Sequence, residues 1–298
     1  MKSCSVSFFR YFPVSGRDRK WGIYATTAGE SRIAPLTVYP PTGHPKRFAF
    51  QWSRGRVLDS FALVYISHGR GKFESRQSGQ VNIESGCAFL LFPGAWHRYA
   101  PDPKTGWHEH WIGFDGDMAR RWLKDRFISA RKPVFKVYAE DAVLATFTHA
   151  MQAARNSRPA LQQILAGATA SLLGLFYSAQ QTHQDAAILR PSAIESAITR
   201  IHAGFALDLD MKAIAQESGV SYSWFRSSFA AHTGLSPHQY LLELRLVRAR
   251  NLLAETKLSV KRIALETGFQ DEHYFSRFFR QKMNSSPSQW RQRRRRSH

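Results

Sequence analysis

The stretch IALETGFQDEHYFSRFFRQKMNSSPSQW, residues 263–290, decides the fold of the C-terminal third of this chain, because the chain contains a second copy of it. The other copy, IAQESGVSYSWFRSSFAAHTGLSPHQY, begins at Ile214. The Ile-Ala pair and the turn glycine recur 49 residues apart, whereas the phenylalanines and the Ser-Pro pair recur 50 residues apart. The second copy therefore has one extra residue in its turn. Each copy predicts a short helix, a glycine-containing turn and a second helix, which is the pattern of a helix-turn-helix.

Local signals place the ends and faces of these helices. Gly219 and Gly268 fit the left-handed position that follows a helix, and Ser221 and Asp271 are placed to cap the helix that comes next. In each second helix two phenylalanines stand at i and i+4, which predicts the face that points into the core. The residues expected on the opposite face are Tyr222, Ser223, Arg226 and Ser227 in the first unit, and Glu272, His273, Ser276, Arg277 and Arg280 in the second.

The segment between the two units, residues 237–253, predicts one unbroken helix of about 25 Å, at about 1.5 Å per residue. Such a helix can hold two recognition helices roughly one DNA turn, about 34 Å, apart. The 298-residue chain has a net charge of +20, which indicates a polyanionic partner. Residues 1–189 and 190–298 carry excess charges of +11 and +9, so charge does not single out either half. The basic tail, residues 291–296, is expected to be disordered.

Residues 1–138 consist of short β-branched and aromatic runs joined by Gly and Pro turns, as in FALVYISHGRGKF (61–73). This pattern predicts an antiparallel β-barrel or jelly roll, and so an α+β protein overall. Helical periodicity follows over residues 139–181, with a basic break at 155–159, and the polar stretch 182–192 predicts a linker. With two cysteines and no apolar run long enough to span a membrane, we expect a cytoplasmic protein.

The C-terminal repeat, residues 211–237 and 263–291, resembles the AraC/XylS family of bacterial transcription regulators. This resemblance implies a DNA-binding domain over 193–298, with helix-turn-helix units at about 211–232 and 260–283. It also implies asymmetric sites in double-stranded promoter DNA, contact with RNA polymerase, activation rather than repression, and a homodimer formed through residues 139–181. Arg226 and Arg277 are the best candidates for pairing with guanine.

The N-terminal stretches within residues 55–116 resemble family members that have a cupin-like sugar-sensing barrel. The ligand positions of those members correspond to His68, Tyr99, Glu109 and Trp111, and residues 39–45 correspond to a covering arm. A small carbohydrate-like effector suits such residues, because sugars present apolar faces to aromatic rings and hydroxyls to charged groups. Trp107 is expected to fill the barrel.

The stretch GWHEHWIGFDG, residues 106–116, leaves an alternative open, because strand side chains alternate between two faces. If His108 and His110 point inward, they can join His97 in a metal site, and the domain is a metal-dependent cupin enzyme fused to a DNA-binding domain. No early pair of ligands completes that site. We therefore expect Glu109 and Trp111 to point inward and the two histidines outward, and we expect no catalytic residue, metal ligand or cofactor.

Overall fold

The computed structural model of the protein describes residues 7–39, 52–157, 159–185 and 191–296. The chain divides into two compact units, Met1–Gln184 and Asp185–His298. The first unit combines an antiparallel sheet with helices, and the second is helical. The expected α+β composition is therefore confirmed. Among the described residues, no helix is long and apolar enough to cross a membrane.

The sheet of the first unit has nine strands in the described part of the chain. They are β1 (Ser7–Tyr11), β2 (Tyr24–Ile33), β3 (Arg56–Val57), β4 (Phe61–Ser75), β5 (Gly79–Glu84), β6 (Cys87–Leu91), β7 (Trp96–Pro101), β8 (Trp107–Asp115) and β9 (Val134–Lys136). The first half of β4 pairs with β8 and β6 in the order β1-β2-β8-β4-β6-β9, and its second half pairs with β5 and β7. The long strand β4 thus belongs to both parts of the sheet.

The two faces of this sheet carry separate apolar clusters, because successive strand side chains point to opposite sides. One cluster joins residues from both parts of the sheet, and we call its side the inner face; it includes Val64, Ile66, Phe73, Phe89, Tyr99 and Trp107. The other cluster lies against helices, and we call its side the outer face; its sheet residues include Phe61, Leu63, Tyr65, Ile112 and Phe114. A residue of the sheet therefore points either toward the inner-face cluster or toward the helices on the outer face.

Four helices complete the first unit, namely α1 (Gly16–Lys20), α2 (Asp117–Lys124), α3 (Glu140–Arg155) and α4 (Leu161–Asp185). Phe147 of α3 and Leu172 and Phe176 of α4 are buried in the outer-face cluster. Burial of each such side chain stabilises the folded state by about 1.5–3 kcal/mol. The helices expected over 139–181 thus cover the sheet. Of the expected linker, residues 182–185 end α4, residues 186–190 lie outside the described residues, and residues 191–192 begin the next helix.

The second unit contains seven helices in its described residues. They are α5 (Pro191–Gly204), α6 (Met211–Glu217), α7 (Tyr222–Thr233), α8 (Pro237–Glu255), α9 (Val260–Glu266), α10 (Glu272–Met283) and α11 (Pro287–Arg296). The repeat is confirmed, since α6 and α9 begin 49 residues apart and α7 and α10 begin 50 residues apart. Gly219 and Gly268 have φ values of +65° and +83° in the two turns. Ser221 and Asp271 accept hydrogen bonds from the backbone of the helices they cap.

Each helix-turn-helix unit has its own core, and α8 contributes to both. Phe225 and Phe229 pack with Leu241 in the first core, and Phe275 and Phe279 pack with Leu253 in the second. The expectation of a disordered basic tail over residues 291–296 is wrong, because α11 runs from Pro287 to Arg296. Its anchor is Trp290, whose ring lies 6.2 Å from that of Phe279.

Candidate functional site

Strand β8 places Trp107, Glu109 and Trp111 on the inner face and His108 and His110 on the outer face. Glu109 lies opposite Ile66 in the sheet and is only 7% exposed. Trp107 belongs to the inner-face cluster and Trp111 packs at its margin. The orientation expected for Glu109 and Trp111 is therefore confirmed.

The carboxylate of Glu109 has a hydroxyl partner from a distant part of the chain. The phenol of Tyr39 donates a hydrogen bond to Oε2 of Glu109 over 3.1 Å. The ring of Tyr39 lies 6.1 Å from that of Tyr99 and 5.8 Å from that of Trp107. Burial raises the pKa of Glu109 to about 7, since the inner face disfavours the charged carboxylate. Of the expected covering arm, Tyr39 is described and residues 40–45 lie outside the described residues.

A partly buried arginine contacts the other side of this group. Arg56 of β3 donates hydrogen bonds to the hydroxyl of Tyr99 and to Nε2 of His97, the latter over 3.2 Å. Nδ1 of His97 lies 3.0 Å from the carbonyl oxygen of Ala95, so the ring is neutral with its proton on Nδ1. Burial, helped by the positive charge of Arg56, lowers the pKa of His97 to about 4. Sequence reasoning missed Arg56 because β3 has only two residues and no pattern.

Two tryptophans stand on either side of Glu109 along β8 on the inner face. The indole N–H of Trp107 is buried beside the carboxylate of Glu109, whose pKa it helps to lower, but it forms no well-aligned hydrogen bond among the described residues. A donor whose acceptor is poorly aligned gains little from the contact, so this group suits a better-placed acceptor brought by a ligand. Trp111 lies over Gly29 of β2, where an added Cβ would come within 2.3 Å of its ring.

His68 does not join Tyr99, Glu109 and Trp111, because a bulge in β4 changes the alternation. Ile66 pairs with Glu109, and the next register pair is His68 with His108. His68 therefore lies on the outer face, where its ring is 6.4 Å from that of His108. His97 faces inward with Tyr99, so the sheet separates it from His108 and His110. The three-nitrogen site of the metal-enzyme alternative is not formed.

The first helix-turn-helix unit exposes the face that was expected to contact DNA. On α7, Phe225 and Phe229 are buried, and the opposite face exposes Tyr222, Ser223, Arg226 and Ser227. The hydroxyl of Ser227 is engaged within the helix, 2.9 Å from the carbonyl oxygen of Trp224. Arg226 is therefore the strongest donor that this face offers to a base edge.

The second unit exposes a similar face with one further aromatic residue. His273, Arg277 and Arg280 are exposed, whereas Glu272 and Ser276 are partly buried. Tyr274, which the sequence analysis did not select, is 43% exposed on the same helix. The sequence could have indicated this exposure. Phe275 and Phe279, at i and i+4, define the buried face of α10, and Tyr274 does not share their spacing.

Comparisons with known proteins agree with both units. The family description "AraC-like ligand binding domain" matches residues 31–194, and "Helix-turn-helix domain" matches residues 214–293. The chain belongs to the AraC family of transcription regulators. It is 30% identical to the MmsAB operon regulatory protein of Pseudomonas aeruginosa over 95% of this chain and 92% of that protein.

Two further matches show how far the similarity of this AraC-family chain extends. The raffinose operon transcriptional regulatory protein RafR of Pediococcus pentosaceus is 23% identical over 91% of this chain and 98% of its own length. A solved structure of a transcriptional regulator with an AraC-type DNA-binding domain from Chromobacterium violaceum is 34% identical. The match covers 34% of this chain and 91% of the solved chain, with a TM-score of 0.32.

Proposed function

We propose that this AraC-family regulator is controlled by a small carbohydrate-like effector that binds on the inner face of its sheet. The observation that carries the proposal is the buried carboxylate of Glu109, held by Tyr39 and flanked by the rings of Tyr99 and Trp107. Aromatic faces beside a hydrogen-bonding carboxylate suit a polyhydroxylated ring. The name of the relative RafR refers to a raffinose operon, which supports a sugar as the class of effector.

The effector competes with Tyr39 in this proposal. A sugar hydroxyl donates to Glu109 in place of the Tyr39 phenol, and another sugar oxygen accepts from the buried indole N–H of Trp107. Tyr39 then leaves the rings of Tyr99 and Trp107 on the inner face. Such a ligand changes the protein only if it binds one arrangement better than the other, and the site occupied by Tyr39 supplies that difference.

The output of the regulator is binding of promoter DNA. We propose that α7 and α10 enter the major groove at two half-sites, with Arg226 and Arg277 pairing with guanine. The protein then acts as an activator through RNA polymerase, as the family resemblance implies. A homodimer formed through α3 and α4 presents two such pairs of helices. Exposed basic residues such as Lys212, Lys257 and Lys261 contact phosphates.

A ligand screen tests the effector proposal. Thermal unfolding of the full chain is measured with pentoses, hexoses and oligosaccharides, for the wild type, Glu109→Gln and the control Glu84→Gln. Glu84 is exposed on β5. A sugar that raises Tm of the wild type and the control, but not of Glu109→Gln, supports the proposal. A sugar that stabilises all three proteins equally, or a screen in which none stabilises the wild type, contradicts it.

A further inference from the structure

A cluster of three possible metal ligands lies on the outer face, away from the proposed effector site. Glu30 of β2 pairs directly with His110 of β8, and His108 stands two residues earlier on the same strand. One ligand atom of each of the three residues lies within 4.8 Å of those of the other two. The rings of His108 and His110 are 4.3 Å apart.

His110 is the residue that points to a bound cation. Its side chain is only 7% exposed, and its buried Nδ1 forms no hydrogen bond with any described residue. The other ring nitrogen, Nε2, lies 3.1 Å from the hydroxyl of Ser67. If Nε2 donates its proton to Ser67, the lone pair of Nδ1 points toward Oε2 of Glu30, which is 3.6 Å away. A carboxylate oxygen and a nitrogen lone pair that face each other repel, and a cation between them would turn this repulsion into two attractive contacts.

The ring orientation of His110 suits a metal ligand. A neutral imidazole coordinates a metal through the ring nitrogen that carries no proton. When Nε2 of His110 donates its proton to Ser67, Nδ1 is left as that nitrogen, on the side of Glu30.

We propose that Glu30, His108 and His110 bind a divalent transition-metal ion of the zinc class. Two imidazole nitrogens and a carboxylate oxygen are a ligand set that zinc takes, at about 2.0–2.2 Å, with a fourth position for water. The three ligand atoms, within 4.8 Å of one another, would close around the ion when it binds. The hydroxyl of Ser67 orients the His110 ring, as outer hydrogen bonds do at metal sites.

Two arginines set the affinity of this site. Arg155, at the end of α3, binds Oε1 of Glu30 over 2.7 Å, and its guanidinium lies 4.0 Å from the ring centre of Phe8. Arg32 stands directly opposite His108 in the sheet. Both positive charges oppose a cation, and Arg155 competes for the carboxylate. The ring of Phe147 on α3 also lies 5.6 Å from that of His110, so an ion here ties α3 to β2 and β8.

Titration with Co²⁺ and Zn²⁺ of the full-length protein, freed of metal with a chelator, tests the site. We compare the wild type with Glu30→Gln and His108→Gln, and use His149→Gln, an exposed histidine on α3, as the control. The wild type and the control should bind one Co²⁺ with the visible absorption of a low-coordinate site, and Zn²⁺ should displace it. Each ligand variant should bind more than about tenfold more weakly. Thermal unfolding of the metal-free proteins checks that all remain folded.

Arg155→Gln supplies a test with the opposite sign. Removing the competing guanidinium frees Glu30, so this variant should bind Co²⁺ more tightly than the wild type. A purely structural role of Arg155 would not strengthen metal binding. The proposal is overturned if the wild type binds no stoichiometric metal, or if Glu30→Gln and His108→Gln bind as the wild type does.

Discussion

At the scale of single residues, the raised pKa of Glu109 predicts how the stability of the folded protein depends on pH. Its pKa rises from an ordinary value of 4.5 to about 7 on folding, so between these values the folded protein keeps a proton that the unfolded chain loses. Its contribution to stability is therefore full below about pH 4.5, decreases toward pH 7 and is constant above it. The total is on the order of 3 kcal/mol, at 1.36 kcal/mol per pH unit.

Measuring the unfolding free energy in denaturant for the wild type and Glu109→Gln isolates this effect. His97 and His110, whose pKa values are lowered, change stability in the opposite direction in acid, but they are common to both proteins and cancel in the difference. The stability of the wild type relative to Glu109→Gln should fall as pH rises from 4.5 to 7. A difference that does not vary with pH would show that Glu109 is not buried as described.

Arg277 makes a prediction about DNA sequence preference. If its guanidinium pairs with a base, Arg277→Ala should weaken binding to the specific site by about 1–3 kcal/mol and relax the preference for one base pair. The control Lys261→Ala removes an exposed charge from α9. This control should weaken binding uniformly across sequences and reduce the salt dependence. Equal effects of the two variants on all sequences, measured by titration of DNA variants, would assign Arg277 to phosphate contact.

The residue scale also shows where sequence reasoning succeeds and fails. Strand alternation correctly separated Glu109 and Trp111 from the two histidines of β8. The same rule failed for His68, because the bulge after Ile66 moved it to the outer face and no sequence signal marked the bulge. Tyr39 was expected in a covering arm, but its bond to Glu109 was not predicted, and Arg56 was not selected at all. The partners of these two residues lie 70 and 43 residues away along the chain.

At the scale of elements, Arg245 of α8 connects the two helix-turn-helix units. Its guanidinium donates to the carbonyl oxygens of Phe205 and Leu207, over 2.7 and 2.8 Å, in the loop that precedes the first unit. It also lies 5.8 Å from the ring centre of Phe269, in the turn of the second unit. A Cβ on Gly268 would come within 2.8 Å of Nε of Arg245, so glycine is needed there for space as well as for its φ.

Loss of this connection should weaken binding to a complete site but not to its halves. Arg245→Met removes the hydrogen bonds and keeps an apolar stem, so each unit retains its own core. Because two linked modules gain affinity from their fixed spacing, we expect affinity for a complete site to fall at least about tenfold. Half-site affinities should change by less than about twofold. Gel-shift titrations compare the variant with Arg248→Met, an exposed neighbour on α8; similar losses on complete and half sites would refute the role.

Elements were predictable where their signals are local. The caps at Ser221 and Asp271, the turn glycines and the phenylalanine spacing all lie within one helix-turn-helix unit, and all of them were found in place. The packing partner of α3 and α4 is not local. Their periodicity showed an apolar face, but only the folded sheet shows that the outer face covers Phe147 and Phe176.

At the scale of the whole molecule, the first unit uses the two faces of one sheet differently. Glu109 on the inner face and His110 on the outer face are neighbours on β8, yet their side chains point to opposite sides of the sheet. The proposed effector and the proposed metal ion would therefore act on the same strand from opposite sides. Both would then influence the helices that cover the outer face.

The proposed homodimer depends on the part of α4 that the sheet leaves exposed. Small residues follow one another there at helical spacing, namely Gly167, Ser171, Gly174 and Ser178, and all are exposed. An added Cβ at Gly174 would meet nothing within 4 Å, so a larger side chain fits the folded monomer and obstructs only a second helix. Gly174→Arg should therefore leave thermal stability equal to or above that of the wild type, since arginine favours helix more than glycine does. It should also shift the sedimentation mass from dimer to monomer.

The control for this prediction is the same substitution at another exposed helical glycine. Gly16 lies on α1, where an added Cβ also meets nothing within 4 Å, and Gly16→Arg should leave the dimer intact. Because a dimer binds two pairs of half-sites at once, Gly174→Arg should also lower affinity for a paired site while its affinity for a single site stays the same. If both variants sediment as the wild type does, the contact between copies does not involve this face of α4, and the exposed helix has another partner.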